Sequence, residues 1–413
     1  MSKSKEPSLR YQKFTDAWEQ RKLGEVADIV GGGTPNTSIL DYWGGDISWY
    51  SPVEIGDQVY MGDSRKKITE LGLQKSSARM LPVGTVLFTS RAGIGNTAIL
   101  IKEGCTNQGF QSIVPHETEL DSYFIFSRTH ELKCYGETNG AGSTFVEVSG
   151  KQMAKMPILL PSIKEQQKIG SFFQQLDNTI ALHQHKSNKL KQIKKSLMSQ
   201  MFPKDGVDTP ELRIGEYSDN WKEEQLGQLV EQVKSYSLSR DVETKNNTGF
   251  RYIHYGDIHT KVADMIDSKS KLPNIKEGQY ELLKKGDVVV ADASEDYQGI
   301  ATPAVITTEL PYKLVAGLHT IALRPKKIDS VFLYYLIHSP AFREYGYRIG
   351  TGMKVFGISA KNLLNFEGKL PSIEEQTAIG NFFKHLDETI AIHQEKYEKL
   401  KQIKTALLND MFV

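Results

Sequence analysis

The stretch from Leu160 to Phe202, LPSIKEQQKIGSFFQQLDNTIALHQHKSNKLKQIKKSLMSQMF, returns without a gap from Leu370 to Phe412, and 27 of the 43 positions are identical at an offset of 210. Neither copy holds a proline after its opening Leu-Pro-Ser, and apolar residues recur at alternating steps of three and four. In the first copy Phe173, Leu176, Ile180, Leu190 and Leu197 fall on this seam, with His183 and Ser187 filling two places. In the second copy the seam is Phe383, Leu386, Ile390, His393, Tyr397, Leu400 and Leu407. Such heptad spacing marks helices that bury a narrow stripe against one another. Two seams this long in one chain can satisfy each other; the other reading is two unrelated amphipathic helices, each packed on its own domain.

The repeat extends beyond the helices. Residues 7 to 30, PSLRYQKFTDAWEQRKLGEVADIV, are echoed at 210 to 233 by PELRIGEYSDNWKEEQLGQLVEQV, with Pro, Leu, Arg, an aromatic, Trp and Leu-Gly in register. Each half is therefore a globular segment followed by a long helix, and PKDGVDTP from Pro203 to Pro210 has the composition of an exposed connector. The expected segments are residues 1–160 and 204–369 as globular domains, and 161–203 and 370–413 as helices. Val83 to Thr89 and Lys285 to Ala291 each pattern as a turn feeding a short buried strand, with further strands at Ile99 to Ile101, Ser112 to Val114 and Thr320 to Leu323. Ser122 to His130 and Val331 to His338 pattern as helices, and small-residue loops, Asn139 to Thr144 and Gly350 to Lys354, precede the long ones. The fold class is α+β: two mixed α/β domains with an internal pseudo-two-fold repeat. Their middles align poorly, which predicts one architecture holding two different surfaces.

At 413 residues the chain can form two or three cores. Two cysteines, Cys105 and Cys134, make neither a disulfide framework nor a zinc site and fit a reducing compartment. No apolar run approaches the ~18 residues of a membrane span and no signal peptide is evident, so the cytoplasm is expected and no membrane. The net charge is +1, with 24 basic and 20 acidic residues through Pro203 and 27 against 30 beyond it. That balance argues mildly against tight nucleic-acid binding by the chain alone, while leaving room for local patches or a partner's phosphate contacts.

Signals for catalysis are weak. Gly93, Gly95 and Ala98 match the spacing of a dinucleotide-binding fingerprint, but that motif needs a helix next, and Ile99-Leu100-Ile101 continues as a strand, so a hairpin turn is expected. Gly31 to Pro35 lacks the Lys-Ser/Thr of a phosphate loop. His183 and His393 occupy equivalent places near mid-seam; a polar pair setting register suits them better than a metal, for which further ligands are missing. Neither the aromatic motif of an amino-methyltransferase nor a Walker loop nor a nuclease motif is present. The five lysines between Lys186 and Lys195 form either a solvated face or one that runs near DNA or docks a partner.

DNA reading needs planar or forked donors and acceptors on loops. The first half offers Trp43, Trp49, Tyr50, Arg65, Lys66, Lys67, Arg91, Asn96, Asn107, Gln108 and Gln111; the second offers Tyr252, His254, Lys269, Lys271, Glu295, Asp296, Tyr297, Gln298 and His319. Where the first half has Ser90-Arg91 the second has Asp292-Ala293-Ser294-Glu295-Asp296, so equivalent loops would carry opposite charge. Arginine suits guanine and carboxylates suit the cytosine amino group, which predicts two different target sequences.

Taken in order, Trp-Glu-x-x-Lys-Leu-Gly-Glu-Val, Gly-Gly-Gly-Thr-Pro, Tyr42-Trp43-Gly44-Gly45-Asp46-Ile47-Ser48-Trp49, Asn107-Gln108-Gly109-Phe110 and the twice-used Leu-Pro-x-x-x-Glu-Gln-x-x-Ile-Gly resemble the specificity subunit of type I restriction-modification systems. The resemblance implies two target recognition domains, at about 20–160 and 220–369, separated by helices that pair as an antiparallel coiled coil. It implies as partners double-stranded DNA, two modification subunits that use S-adenosylmethionine to methylate adenine, and restriction subunits that translocate and cleave with ATP and Mg2+. No cofactor or metal is expected in this chain, and no catalysis. Glu165, Gln166, Phe172, Glu375, Gln376 and Phe382 become the expected dock for the modification subunits. At ~1.5 Å per residue each helix is ~60 Å long, a ruler for half-sites about one DNA turn apart. Half two lacks Gly-Gly-Gly-Thr-Pro and Trp-Gly-Gly-Asp-Ile, in keeping with an asymmetric target. The rival is a non-catalytic coiled-coil scaffold whose globular ends bind proteins.

Overall fold

The computed structural model describes residues 6–91, 93–141, 146–204, 206–296, 299–350 and 356–412. Tyr297, Gln298 and parts of the two small-residue loops, 142–144 and 351–354, lie outside them. The chain divides into two compact units, Met1–Gln184 with Glu395–Val413, and His185–Gln394. The division runs through both long helices, Ile163–Gln200 and Ile373–Met411, so each unit is built from one globular segment and half of each helix.

In the first unit a five-stranded sheet runs in the order Ala27–Gly31, Gln111–Pro115, Val86–Phe88, Thr97–Leu100, Tyr60–Met61, antiparallel except for its last pair. A three-stranded sheet orders Lys66–Ile68, Trp43–Tyr50 and Gly104–Thr106. The second unit repeats the larger sheet with Val230–Val233, Thr320–Pro325, Val288–Ala291, Pro303–Ile306 and Met265–Ile266, again parallel only in its last pair. Period-two alternation explains why the central strands Val86–Phe88 and Val288–Ala291 are wholly buried. Val288 and Val290 enter the core on the helix side, and Val289 and Ala291 enter a second core on the opposite face. Val86 and Phe88 are split from Leu87 in the same way.

The turns before these strands need Gly84 (φ 86°) and Gly286 (φ 88°), a backbone region that costs L-residues with a Cβ. Val86–Phe88 and Thr97–Leu100 pair antiparallel, so the glycines between them close a hairpin and not a nucleotide-binding loop.

Within each unit the halves of the long helices run antiparallel. In the first, Phe173 stacks on Phe412 (5.8 Å between centroids) and Lys404 Nζ lies 2.6 Å from Asp177 Oδ1. In the second, Phe202 stacks on Phe383 (6.1 Å) and Lys194 Nζ lies 2.6 Å from Asp387 Oδ1. These are the same contacts shifted by the repeat offset. Tyr123 donates to Asp177 and Tyr335 to Asp387, both at 2.8 Å, tying each globular segment to both helices at once. Burial, then the neighbouring carboxylate, pushes both hydroxyls well above the usual tyrosine range, so they stay protonated and donate. Phe173 and Phe383 are fully buried, and Leu176, Leu197, Leu386 and Leu407 pack against the unit cores. Ile390 is buried, while Ile180, His183, Leu190, His393, Tyr397 and Leu400 are half-buried along the seam.

The repeated segments ahead of each globular part seal the helix ends. Leu9 N donates to Asp410 O and Leu212 N to Gln200 O, while Trp18 packs on Phe412 and Trp221 on Phe202. Among the described residues no helix is long and apolar enough to cross a membrane. Both cysteines are free; burial pushes the Cys105 thiol up to about 12, and Cys134 is exposed.

Candidate nucleic-acid interface

Three motif stretches of the first half converge. Gly33 N bonds Thr106 O (2.8 Å), the Trp49 indole donates to Gly33 O (2.8 Å), the Trp43 indole donates to Asn36 O (3.2 Å), and Thr34 bonds the Gln108 side chain. A Cβ on Gly32 would lie 2.0 Å from Asn107 O, which is why a glycine run is needed where this loop crosses the Asn107 turn. The hairpin joins the cluster because Ser90 N bonds Gly109 O (2.8 Å) next to exposed Gln108, and the guanidinium of half-buried Arg91 lies 3.9 Å from the Glu147 carboxylate. Lys66 sits over the Trp43 ring at 5.7 Å with exposed Arg65 next to it.

The second unit holds the matching cluster. Asp292 N bonds His319 O (3.1 Å) as Ser90 N bonds Gly109 O, and Gly317 N bonds Ile253 O as Asn107 N bonds Tyr50 O, both at 2.9 Å. Asp292 therefore stands where Ser90 stands in the first unit, and the acidic run continues beyond it to Glu295 and Asp296. His319 is exposed, 3.1 Å from the Asp292 carboxylate and 5.3 Å from the Tyr255 ring, and its backbone is left-handed (φ 55°). A bulky residue held there carries backbone strain of the kind that collects at functional sites. Glu295 and Asp296 are exposed beside it. His259 bonds Ala293 O (2.8 Å) and its ring meets Tyr255 at 5.9 Å.

Several expected readers and docking residues have other roles. Trp49, Tyr50 and Tyr252 are buried core residues: Tyr50 bonds Gly62 O and Tyr252 bonds Glu243 (2.8 Å), which leaves no surface for a base. His254 is also buried and caps the short helix Tyr255–His259, accepting from Gly256 N; burial lowers its pKa. Asn107 turns inward to accept from Gly109 N (2.8 Å), Gln111 is half-buried in its strand, and Lys67 leans on Asp63 at 3.7 Å. Asn96, Lys269 and Lys271 are exposed. Glu165 and Glu375, expected to dock a partner, are buried against Arg10 and Arg213 of their own units. Gln166 and Gln376 are likewise buried, bonding the Asp121 and Asp329 backbone N–H groups and so fixing the helices that begin there. Phe382 stays exposed and Phe172 half-buried. Sequence reasoning passed over Tyr255 and His259, for which no motif existed, and over Leu40 and Val53, apolar side chains 83 % and 77 % exposed beside the first cluster.

Two loop clusters thus stand on one repeated framework, and similarity says which class of DNA-recognition protein carries it. The family profile described as type I restriction modification DNA specificity domain matches residues 15–192 and again 218–402. The chain belongs to that family and carries its domain twice. It is 26 % identical to the MjaIX specificity subunit of Methanocaldococcus jannaschii over 96 % of this chain and 93 % of that one. It is 29 % identical to the EcoR124I/EcoR124II specificity subunit of Escherichia coli over 38 % of this chain and 41 % of that one. The fold matches the crystal structure of the S subunit from M. genitalium with a TM-score of 0.62, 14 % identity and 99 % of both chains covered. Family membership favours the DNA reader over the protein scaffold.

Proposed function

We propose that each loop cluster reads one half of an asymmetric, bipartite duplex target. What carries this is the matched placement of Arg91 with Gln108 in one unit and of Asp292, Glu295 and His319 in the other. A forked guanidinium pairs with guanine O6/N7 and an amide with adenine N6/N7, whereas carboxylates accept from cytosine N4. Phosphate contacts come largely from partners, because a chain of net charge +1 supplies few. The chain does no chemistry in this reading; modification subunits bring S-adenosylmethionine, and restriction subunits bring ATP and Mg2+. The long helices set half-site spacing. Exchanging residues 20–160 for a divergent counterpart, followed by long-read mapping of adenine methylation, is expected to change one half of the methylated sequence and keep the other. Loss of neither half, or of both, would sink the assignment.

The dock for modification subunits is better placed on apolar side chains than on the buried Glu-Gln pairs. Nine residues along from the Phe173–Phe412 stack lie Leu182 and Ile403, 48 % and 39 % exposed; nine along from Phe202–Phe383 lie Ile193 and Ile392, 39 % and 50 % exposed. Each unit thus offers one apolar couple, and two couples imply two subunits, with Phe172 and Phe382 on the same helices. Leu182→Asp with Ile403→Asp is expected to leave assemblies with one modification subunit by native mass spectrometry; assemblies still holding two would refute the placement.

A further inference from the structure

The helix repeat breaks at positions that put extra charge into one unit alone. A cleft of about 980 Å³ in the second unit is lined by Lys191, Lys194 and Lys195 of the first long helix, Lys384 of the second, and Lys261 and Arg343 of the globular segment. Three carboxylates also line it, but Asp387 is taken by Lys194 and Tyr335, and Asp264 accepts from the Tyr334 hydroxyl. With Lys194 and Asp387 paired, Asp264 and Glu388 stand against five further cations, and Lys195, Lys261 and Lys384 have no ion-pair partner among the described residues. The cations therefore outnumber the carboxylates, and the His338 imidazole on the wall is pushed down to about 3, first by burial and then by Arg343, Lys194 and Lys261. Lys261 sits at the rim with a left-handed backbone (φ 59°).

The first unit lacks this arrangement. The repeat mates of Lys384, Glu388 and Lys195 are Gln174, Asn178 and Thr405, all uncharged. Gln174 donates to the Tyr60 hydroxyl, and the Tyr60 ring packs at 6.3 Å from Tyr123, so a globular side chain bridges to the helix there. In the second unit Ile258 of the short helix Tyr255–His259, which also carries Tyr255 and His259, lines the cleft, and Lys261 follows that helix by two residues.

We propose that this cleft grips the phosphodiester backbone of DNA flanking the half-site read by the second unit, with no counterpart grip at the first. The inference rests on the proposed reading of the target. Lysine is a point charge on a flexible stem and suits a sequence-independent phosphate contact, whereas base reading uses forked groups. The three unpaired lysines stand on three separate segments around an open trough, as tracking a strand requires.

The test uses the full chain assembled with its modification subunits, titrated over a salt series with a duplex bearing the mapped target and with a mixed-sequence duplex lacking it. Each phosphate contact contributes about 0.9 to the slope of log K against log salt. The Lys195→Gln, Lys261→Gln, Lys384→Gln variant is expected to flatten that slope by about 2.7, equally on both duplexes, with the methylated sequence unchanged. Lys195→Gln alone is expected to flatten it by about 0.9, so the proposal stays exposed if the triple variant fails to assemble. Phosphate-ethylation interference should show the extra contacts beside the second half-site only. An unchanged slope, interference equal on both flanks, or an altered target sequence overturns the cleft assignment. Loss of sequence preference in the unaltered assembly would instead sink the underlying reading.

Discussion

Arg213→Ala is expected to destabilise the second unit by about 3–5 kcal/mol, the cost of leaving a buried carboxylate without its partner. The Glu375 side chain is 1 % exposed and accepts two bonds from the Arg213 guanidinium, at 2.8 and 2.6 Å. The bond to Glu375 raises the arginine's pKa further, so the cation is present at every accessible pH. Its remaining donor reaches Asp219 O at 2.8 Å, so one side chain stitches the repeated Pro-Leu-Arg segment to the start of the long helix. Urea unfolding measures the loss. Arg213→Met combined with Glu375→Leu should recover most of it, because removing both charges also removes their desolvation. A single-mutant loss below about 1 kcal/mol would place the pair with exposed surface bridges. Arg10–Glu165 predicts the same for the first unit.

Helix length, strand placement and the hairpin were legible because each rests on a local period that the chain displays openly. The helices Ile163–Gln200 and Ile373–Met411 begin where the Leu-Pro-Ser starts predicted. The repeated sheet order was not legible, since a buried strand needs only apolar residues of suitable size. Val86-Leu-Phe and Val288-Val-Val do the same work with little identity. Trp49 and Tyr50 misled for a related reason: an aromatic beside a motif loop belongs to a strand whose residues alternate between faces, and composition does not say which face is wet. Glu165 and Gln166 misled because polar residues at a helix start are ordinarily exposed; the arginine that buries Glu165 lies 155 residues away. The Asp–Lys pairs were present in the repeat, since Asp177 and Lys194 recur as Asp387 and Lys404, but they become readable only once the helices are set antiparallel. His183 and His393 lie half-buried on the seam, and Ser187, another polar seam position, donates to Gln394 at 3.3 Å.

Acidification should weaken the second unit well before its carboxylates titrate. His338 packs against Tyr334 (4.8 Å between ring centroids), and its folded pKa is pushed down to about 3 by burial, then by Arg343, Lys194 and Lys261. In the unfolded chain the same imidazole titrates near ~6.5. Between those values the unfolded state binds the additional proton, so stability falls as pH falls, at a limiting rate of about 1.4 kcal/mol per pH unit. From pH 6.5 to 5 the loss integrates to about 1.6 kcal/mol. His254, lowered chiefly by burial, adds a contribution of the same sign. His338→Gln keeps a polar group of similar reach but cannot take the proton, so its stability, followed by urea unfolding at pH steps from 7 to 5, should fall less steeply than that of the unaltered chain. The two curves should converge toward acid. Parallel curves across that range would mean that the imidazole is open to water and that the positive field at the cleft wall is screened; such screening would also weaken the charge argument for the phosphate grip beside it.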